Sequence, residues 1–291
     1  MLDHQLVQIA HGGHAVRRLQ AQLVVGGQGH AVAAGGAQRA LEGGVARVHG
    51  AATGLPRAGV DAQEAALESA RISYQATVDI DQHVGNPDTI PETPVAQLPL
   101  SALAYIYPSR YCQSDRLANL AMREFGLLDK GYLRVEAVRN WVNQYVTFRG
   151  NTSNSATSAL DTLIDRVGVC RDFAHLMIAI CRALSIPARF TTGIDYGADP
   201  ALGPTDFHAY VEVFLGGRWY LFDPSGTAIP MGFIRLGTGR DAADVSFATI
   251  FGGVASLPPL IAVSAITEPG RPWEMPRHRP EALSTDAVDA G

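Results

Sequence analysis

The segment Gly168-Val169-Cys170-Arg171-Asp172-Phe173-Ala174-His175-Leu176-Met177-Ile178-Ala179-Ile180-Cys181-Arg182-Ala183-Leu184 decides the fold. Phe173, Met177, Ile180, Cys181 and Leu184 recur at i, i+4, i+7, i+8 and i+11, the apolar stripe of a buried helix. Gly168 supplies the turn into that helix, and Ser185 with Pro187 closes it. Cys170 therefore stands at the helix N-terminus. There, unpaired N–H groups and the positive end of the helix dipole favour an anion, which for cysteine is the nucleophilic thiolate. The same N–H groups can stabilise the oxyanion formed when a thiolate attacks a carbonyl. Asp172 lies in the first turn, where a carboxylate aimed at the sulfur would oppose the thiolate. Cys181 follows eleven residues later on the same stripe, about 16 Å along the axis, too far to bridge and expected in the core. Cys112 lies in a loop and is expected to be structural. His175, five residues after Cys170, is turned roughly 140° around the helix and points away from it.

A second signal lies in Phe207-His208-Ala209-Tyr210-Val211-Glu212-Val213-Phe214-Leu215-Gly216-Gly217-Arg218-Trp219-Tyr220-Leu221-Phe222-Asp223. Two β-rich runs flank a Gly-Gly pair, a two-residue hairpin signal. Pairing Leu215 with Arg218 and counting outward sets Phe214 opposite Trp219, Glu212 opposite Leu221 and Tyr210 opposite Asp223. His208 then shares a face with Tyr210 and is the diagonal neighbour of Asp223, within reach of an Asp–His hydrogen bond. A carboxylate that orients an imidazole, which in turn takes the proton of a thiol, is the arrangement of nucleophilic catalysis.

The chain has 291 residues, 47% of them apolar and 18% charged, a globular composition. The net charge of −5 gives no basic field for nucleic acid, and no apolar run is long enough to span a membrane. The three cysteines Cys112, Cys170 and Cys181 make no disulfide framework and favour a reducing, cytoplasmic setting. Lys130 is the only lysine among 23 cationic residues.

Composition changes near residue 70. Residues 1–70 carry no Phe, Tyr or Trp, are rich in Ala and Gly, and around residues 24–36 show no sustained strand or helix period. This part is expected to be a disordered or loosely attached leader, and a reading of GC-rich DNA outside the native frame would look the same. Its five histidines (His4, His11, His14, His30, His49) lack metal-ligand spacing, and no metal or other cofactor is expected. Tyr74, Ala76, Val78 and Ile80 alternate as a half-buried strand, and the Pro-rich residues 85–99 read as a connection, so residues 71–100 form a strand and linker. Residues 101–291 are expected to form one catalytic domain. Within it, Ser114 and Asp115 open a helix ended by Gly126, a second helix runs from about Arg134 to Tyr145, residues 147–158 form a polar loop, and a short helix over residues 160–167 is stopped by Gly168.

The Cys170 block, the Phe207-His208-Ala209 block and Trp219-Tyr220-Leu221-Phe222-Asp223-Pro224 together resemble the three blocks of bacterial transglutaminase-like proteins, within the papain-like superfamily of cysteine acyl-transfer enzymes. Pro108-Ser109-Arg110-Tyr111-Cys112 and Gly237 to Val245 also look familial, so the resemblance covers about residues 72–255. It implies an α+β papain-like core with the nucleophile helix packed on an antiparallel sheet. It also implies Cys170 as nucleophile, His208 as base and Asp223 as orienting acid. Such proteins usually carry a β-rich region before the core, of which residues 71–80 would be the last strand. The Cys170 N–H is one expected oxyanion donor, with a second from residues 151–158 or 141–144. The expected activity is acyl transfer on a peptide or protein amide through a thioester, resolved by water (protease or amidase) or by an amine (transglutaminase). The competing expectation is a peptide-binding or scaffold module of the same fold without turnover.

Overall fold

The structure, a computed structural model, describes residues 17–29, 32–33, 70–197, 206–246, 249–250, 254–267, 269 and 273–285. In chain order its principal elements are β1 (Arg17–Gly29), β2 (Ala70–Ile80), β3 (His83–Gly85), α1 (Ala118–Phe125), α2 (Tyr132–Tyr145), α3 (Ala159–Asp165), α4 (Cys170–Ala183), β4 (Ala188–Asp195), β5 (Phe207–Leu215), β6 (Arg218–Phe222), β7 (Phe233–Gly239), β8 (Val254–Ser256), β9 (Leu260–Ala265) and β10 (Ala282–Ser284). The fold is α+β. An antiparallel sheet in the order β7-β4-β5-β6 carries α4 on one face, and α1, α2 and α3 pack around that helix.

The sequence predicts one apolar stripe on α4, yet every residue from Asp172 to Arg182 is buried. Leu176, Ile178 and Ala179 make the helix apolar on its remaining faces, which suits a helix enclosed by a sheet and other helices. Its buried polar groups are held individually. Arg182 donates from Nε and Nη2 to Ala188 O (3.0 and 2.9 Å), from Nη1 to Tyr107 O and Ser109 Oγ (3.1 Å each), and from Nη2 to Arg240 O. His175 stacks on Tyr111 at 5.0 Å and accepts the Ala242 N–H at 3.1 Å; burial pushes its pKa down to about 3, so it is a neutral acceptor. Asp241 accepts the N–H groups of Tyr111 (3.0 Å) and Ala243 (2.9 Å). The segments around Tyr111 and Asp241 therefore brace the far half of α4. Arg182→Met leaves several carbonyls without a donor and is expected to cost about 3 kcal/mol, read as a melting temperature lower by roughly 5–10 °C.

The loosely attached leader expected over residues 1–70 is corrected at its centre. β1 pairs with β2 in an unbroken antiparallel register from Arg17↔Ile80 to Gly27↔Ala70. Its other edge pairs with β9 (Leu19↔Ala265 to Val24↔Leu260) and β8 (Gly27↔Ser256 to Gly29↔Val254). The period is present at Leu19, Ala21 and Leu23, alternating with Gln20 and Gln22, just before the Gly pairs that dominate the composition. Burial that β1 lacks in aromatics comes from its neighbours: Leu19 is fully buried with Ile80 and Ile234. Apart from residues 32–33, the rest of the expected leader up to residue 69, including its five histidines, lies outside the described residues.

The boundary expected at residue 100 is also corrected, because chain segments from both sides of it build the same sheets. β8 and β9 return to β1, and β10 pairs with β3. The Pro-rich connection is fastened to the helical layer: Glu92 forms an ion pair with Arg134, and Ile90 O accepts the Tyr132 N–H at 3.0 Å. Helix α3 stops earlier than predicted. Arg166 ends it in the left-handed region (φ 54), its guanidinium 4.5 Å from the centre of the Tyr145 ring.

Candidate active site

Cys170 is the first residue of α4 and is partly exposed. The N–H groups of Asp172 and Phe173 reach Val169 O (2.8 and 3.2 Å), whereas those of Cys170 and Arg171 have no acceptor within the helix. The Asp172 carboxylate is turned back onto the helix entry. Its Oδ2 accepts the Val169 N–H at 2.9 Å, and its Oδ1 accepts from Ser153 Oγ at 2.8 Å and from Arg171 at 3.3 Å. Its negative charge is thus taken up by the cap. Gly168 makes this possible: a Cβ there would lie 2.7 Å from Asp172 Cβ and 2.9 Å from Oδ2. The glycine serves the cap more than the turn.

The hairpin forms in the predicted register, with Leu215↔Arg218, Phe214↔Trp219 and Glu212↔Leu221. Gly216 (φ 55) and Gly217 (φ 85) make the turn in the left-handed region, which L side chains rarely adopt. His208 on β5 and Asp223, one residue beyond β6, meet at 3.3 Å through Nε2 and Oδ1. Cys170 is also a neighbour of the His208 side chain, close enough to help raise its pKa. With Nε2 on Asp223, Nδ1 is the ring nitrogen left for the thiol. The structure therefore brings Cys170, His208 and Asp223 together from three separate elements.

Asp223 is nearly inaccessible yet well supplied with donors. Oδ1 accepts from Ser225 N–H (2.9 Å) and Ser225 Oγ (2.6 Å) besides His208, and Oδ2 accepts the Ala228 N–H at 2.9 Å. Burial alone would raise its pKa, but the bond to His208, its charge and the Ser225 and Ala228 bonds outweigh burial and hold it below the usual carboxylate value. Burial likewise pushes His208 down, and the bond to Asp223, the nearness of Cys170 and the charges of both reverse the sign, so the imidazole is held well above its ordinary value. Helix α2 clamps the acid turn: Arg139 Nε donates to Asp223 O at 2.7 Å, and Asn143 Nδ2 to Pro224 O and Ser225 O.

The other cysteines are different. Cys112 and Cys181 are fully buried, and burial pushes each thiol up to about 12. Of the side chains expected to offer a second oxyanion donor, Trp141 stacks on Tyr145 (4.4 Å) and Asn143 is bound to carbonyls. Ser153 is bound to Asp172, Ser158 to Asp161 and Thr152 to Arg149 O. Among the described residues no group of three or more His, Cys, Asp or Glu is placed to hold a metal ion. No helix among them is long and apolar enough to cross a membrane.

Sequence reading missed Asp195 at the site and gave Tyr210 a place but no role. Asp195, at the end of β4, places Oδ2 3.8 Å from His208 Nδ1, and Tyr210 OH donates to its Oδ1. The hairpin count had put Tyr210 on the His208 face. Asp195 gave no signal, because it reaches His208 only through the β4–β5 pairing, in which Gly193 stands opposite His208.

Residues 121–224, which include Cys170, His208 and Asp223, match the description of the transglutaminase-like superfamily. The chain is similar to the solved structure of a proposed cysteine protease from Cytophaga hutchinsonii, with 31% identity and a TM-score of 0.77 over 94% of this chain and 99% of that one. It is 33% identical over 117 residues to an uncharacterized protein of Mycobacterium leprae, and 32% identical over 125 residues to one of Mycobacterium tuberculosis. Each match covers 38% of this chain, and the chain spans only 42% and 40% of those relatives' own lengths. Similarity over nearly the whole of the Cytophaga structure, in a fold that presents a helix-start cysteine to a sheet-borne histidine, shows that the chain belongs to the bacterial transglutaminase-like family.

Proposed function

We propose that this protein is a cysteine acyl-transfer enzyme acting on peptide or protein amides, with Cys170 as nucleophile, His208 as acid and base, and Asp223 as the orienting carboxylate. The observation that carries this reading is the convergence of Cys170 and Asp223 on His208, the imidazole bonded to Asp223 at 3.3 Å and the cysteine at the start of a buried helix. Cys170 gives its proton to His208 and attacks as a thiolate beside the imidazolium. The S–C bond forms and the carbonyl pair moves onto oxygen, where the Cys170 N–H is a donor. The imidazolium gives its proton to the leaving nitrogen, the C–N bond breaks, and a thioester remains. Neutral His208 then takes a proton from water or an amine as that group attacks the thioester, and the thiolate leaves. Water makes the enzyme a protease or amidase, and a primary amine makes it a transglutaminase. Hydrolysis is favoured, since water is always present and no acceptor-specific feature stands out.

Thiol labelling tests this reading against the non-catalytic module. At pH 6–7 iodoacetamide is expected to alkylate Cys170 on the order of 100-fold faster than Cys112 or Cys181, as read by peptide mass spectrometry. Equally slow alkylation of all three would favour a binding module.

A further inference from the structure

The catalytic imidazole has a carboxylate on each side. Asp223 meets Nε2, and Asp195 approaches Nδ1, the nitrogen left for the sulfur, at 3.8 Å. Asp195 is only 7% exposed, and its other oxygen is fixed by Tyr210 OH. Tyr210 is itself fully buried, packs edge-on against the His208 ring at 4.7 Å and is backed by Phe233 at 4.1 Å. Gly193 leaves room for this assembly: a Cβ there would fall 2.2 Å from the Phe233 ring. A buried carboxylate held by a buried phenol beside a reactive imidazole does nothing for the core that an apolar pair would not do better.

We propose that Asp195, anchored by Tyr210, is a second positioning residue for His208, holding the imidazolium from its Nδ1 side and setting the pH at which it gives up its proton. The inference rests on the proposed role of His208 above. The groups facing this pair come from four elements: Cys170 from α4, Asp195 from β4, His208 and Tyr210 from β5, and Asp223 from the turn after β6. Asp195 carries its charge in the relevant range. Burial and the Asp223 charge push it up to about 6, against the opposing pull of His208 and of the Tyr210 bond, so it is ionised above that pH. The sign follows directly. An ionised Asp195 stabilises the imidazolium, so removing its charge lowers the pH at which His208 deprotonates.

The test is the pH profile of Cys170 alkylation by iodoacetamide, which needs no substrate. In the native protein the rate is expected to show a low-pH limb from the thiolate–imidazolium pair and a further rise as His208 loses its proton. Asp195→Asn keeps the shape and an acceptor for Tyr210 but removes the charge. It is expected to move the upper rise down by about one pH unit. Tyr210→Phe leaves the carboxylate without its anchor and is expected to move the rise the same way by a smaller amount, which keeps the test decisive if the Asn variant does not fold. Superimposable profiles in the native protein and a folded variant, with the low-pH limb intact, would overturn this inference alone. A native protein lacking the low-pH limb would remove the proposed function as well.

Discussion

Cys170→Ala is expected to abolish acyl transfer, lowering the rate by a factor on the order of 10⁴ or more, because the nucleophile and its base act as a unit. The side chain is small and partly exposed, so the loss should come without unfolding, with stability within about 0.5 kcal/mol of the native protein. The direct measurement is capture of a peptide library by the folded protein, quenched by denaturation before peptide mass spectrometry. An acyl adduct on the Cys170 peptide is expected from the native chain and none from the alanine variant. Adducts persisting on the variant would take the sulfur out of the mechanism. The capture also reports which amides the site accepts, and adding a primary amine during turnover separates transamidation from hydrolysis by the mass of the product.

Asp223→Ala should cost both rate and stability. It removes the acceptor of the His208 Nε2–H bond and strands the Ser225 N–H, the Ser225 hydroxyl and the Ala228 N–H. The expected fall in rate is on the order of 10³-fold, and the expected loss of stability about 2–4 kcal/mol. The pH dependence separates the charge from packing. A carboxylate held below its ordinary value contributes stability that is present above the unfolded pKa and is lost as pH falls through the folded one. The native protein should therefore lose stability on acidification below about pH 4 more steeply than the alanine variant. Parallel stability curves in urea across that range would show that Asp223 is held by packing alone. Asp223→Asn, which keeps an oxygen for Nε2–H and Ser225, should recover much of the lost rate.

Local signals reached a long way because all three proposed site residues are positioned by short-range rules. A helix start places Cys170, and the Gly216-Gly217 turn sets the register that carries His208 and Asp223 to one face. Both follow from periods of 3.6 and 2 residues, which hold without knowledge of distant partners. The same reading went wrong at β1, where the Gly-rich composition hid the alternation of Leu19, Ala21 and Leu23. It went wrong again at residue 100, where the ion pair of Glu92 with Arg134 ties an apparent linker to the helical layer.

The sequence by itself thus determined the Cys170 helix and the hairpin with its register, because hydrophobic period, turn chemistry and capping act over a few residues; the α+β class came from the family resemblance. Only the tertiary structure decided how these pieces meet. The capping of Asp172 away from the site, the bracing of α4 by Arg182, His175 and Asp241, the return of β8 and β9 to β1, and the second carboxylate at His208 join residues far apart in the chain. No local period encodes such contacts. They arise when burial forces each polar group to find a partner, and which partner is within reach is set by the packing of the whole fold.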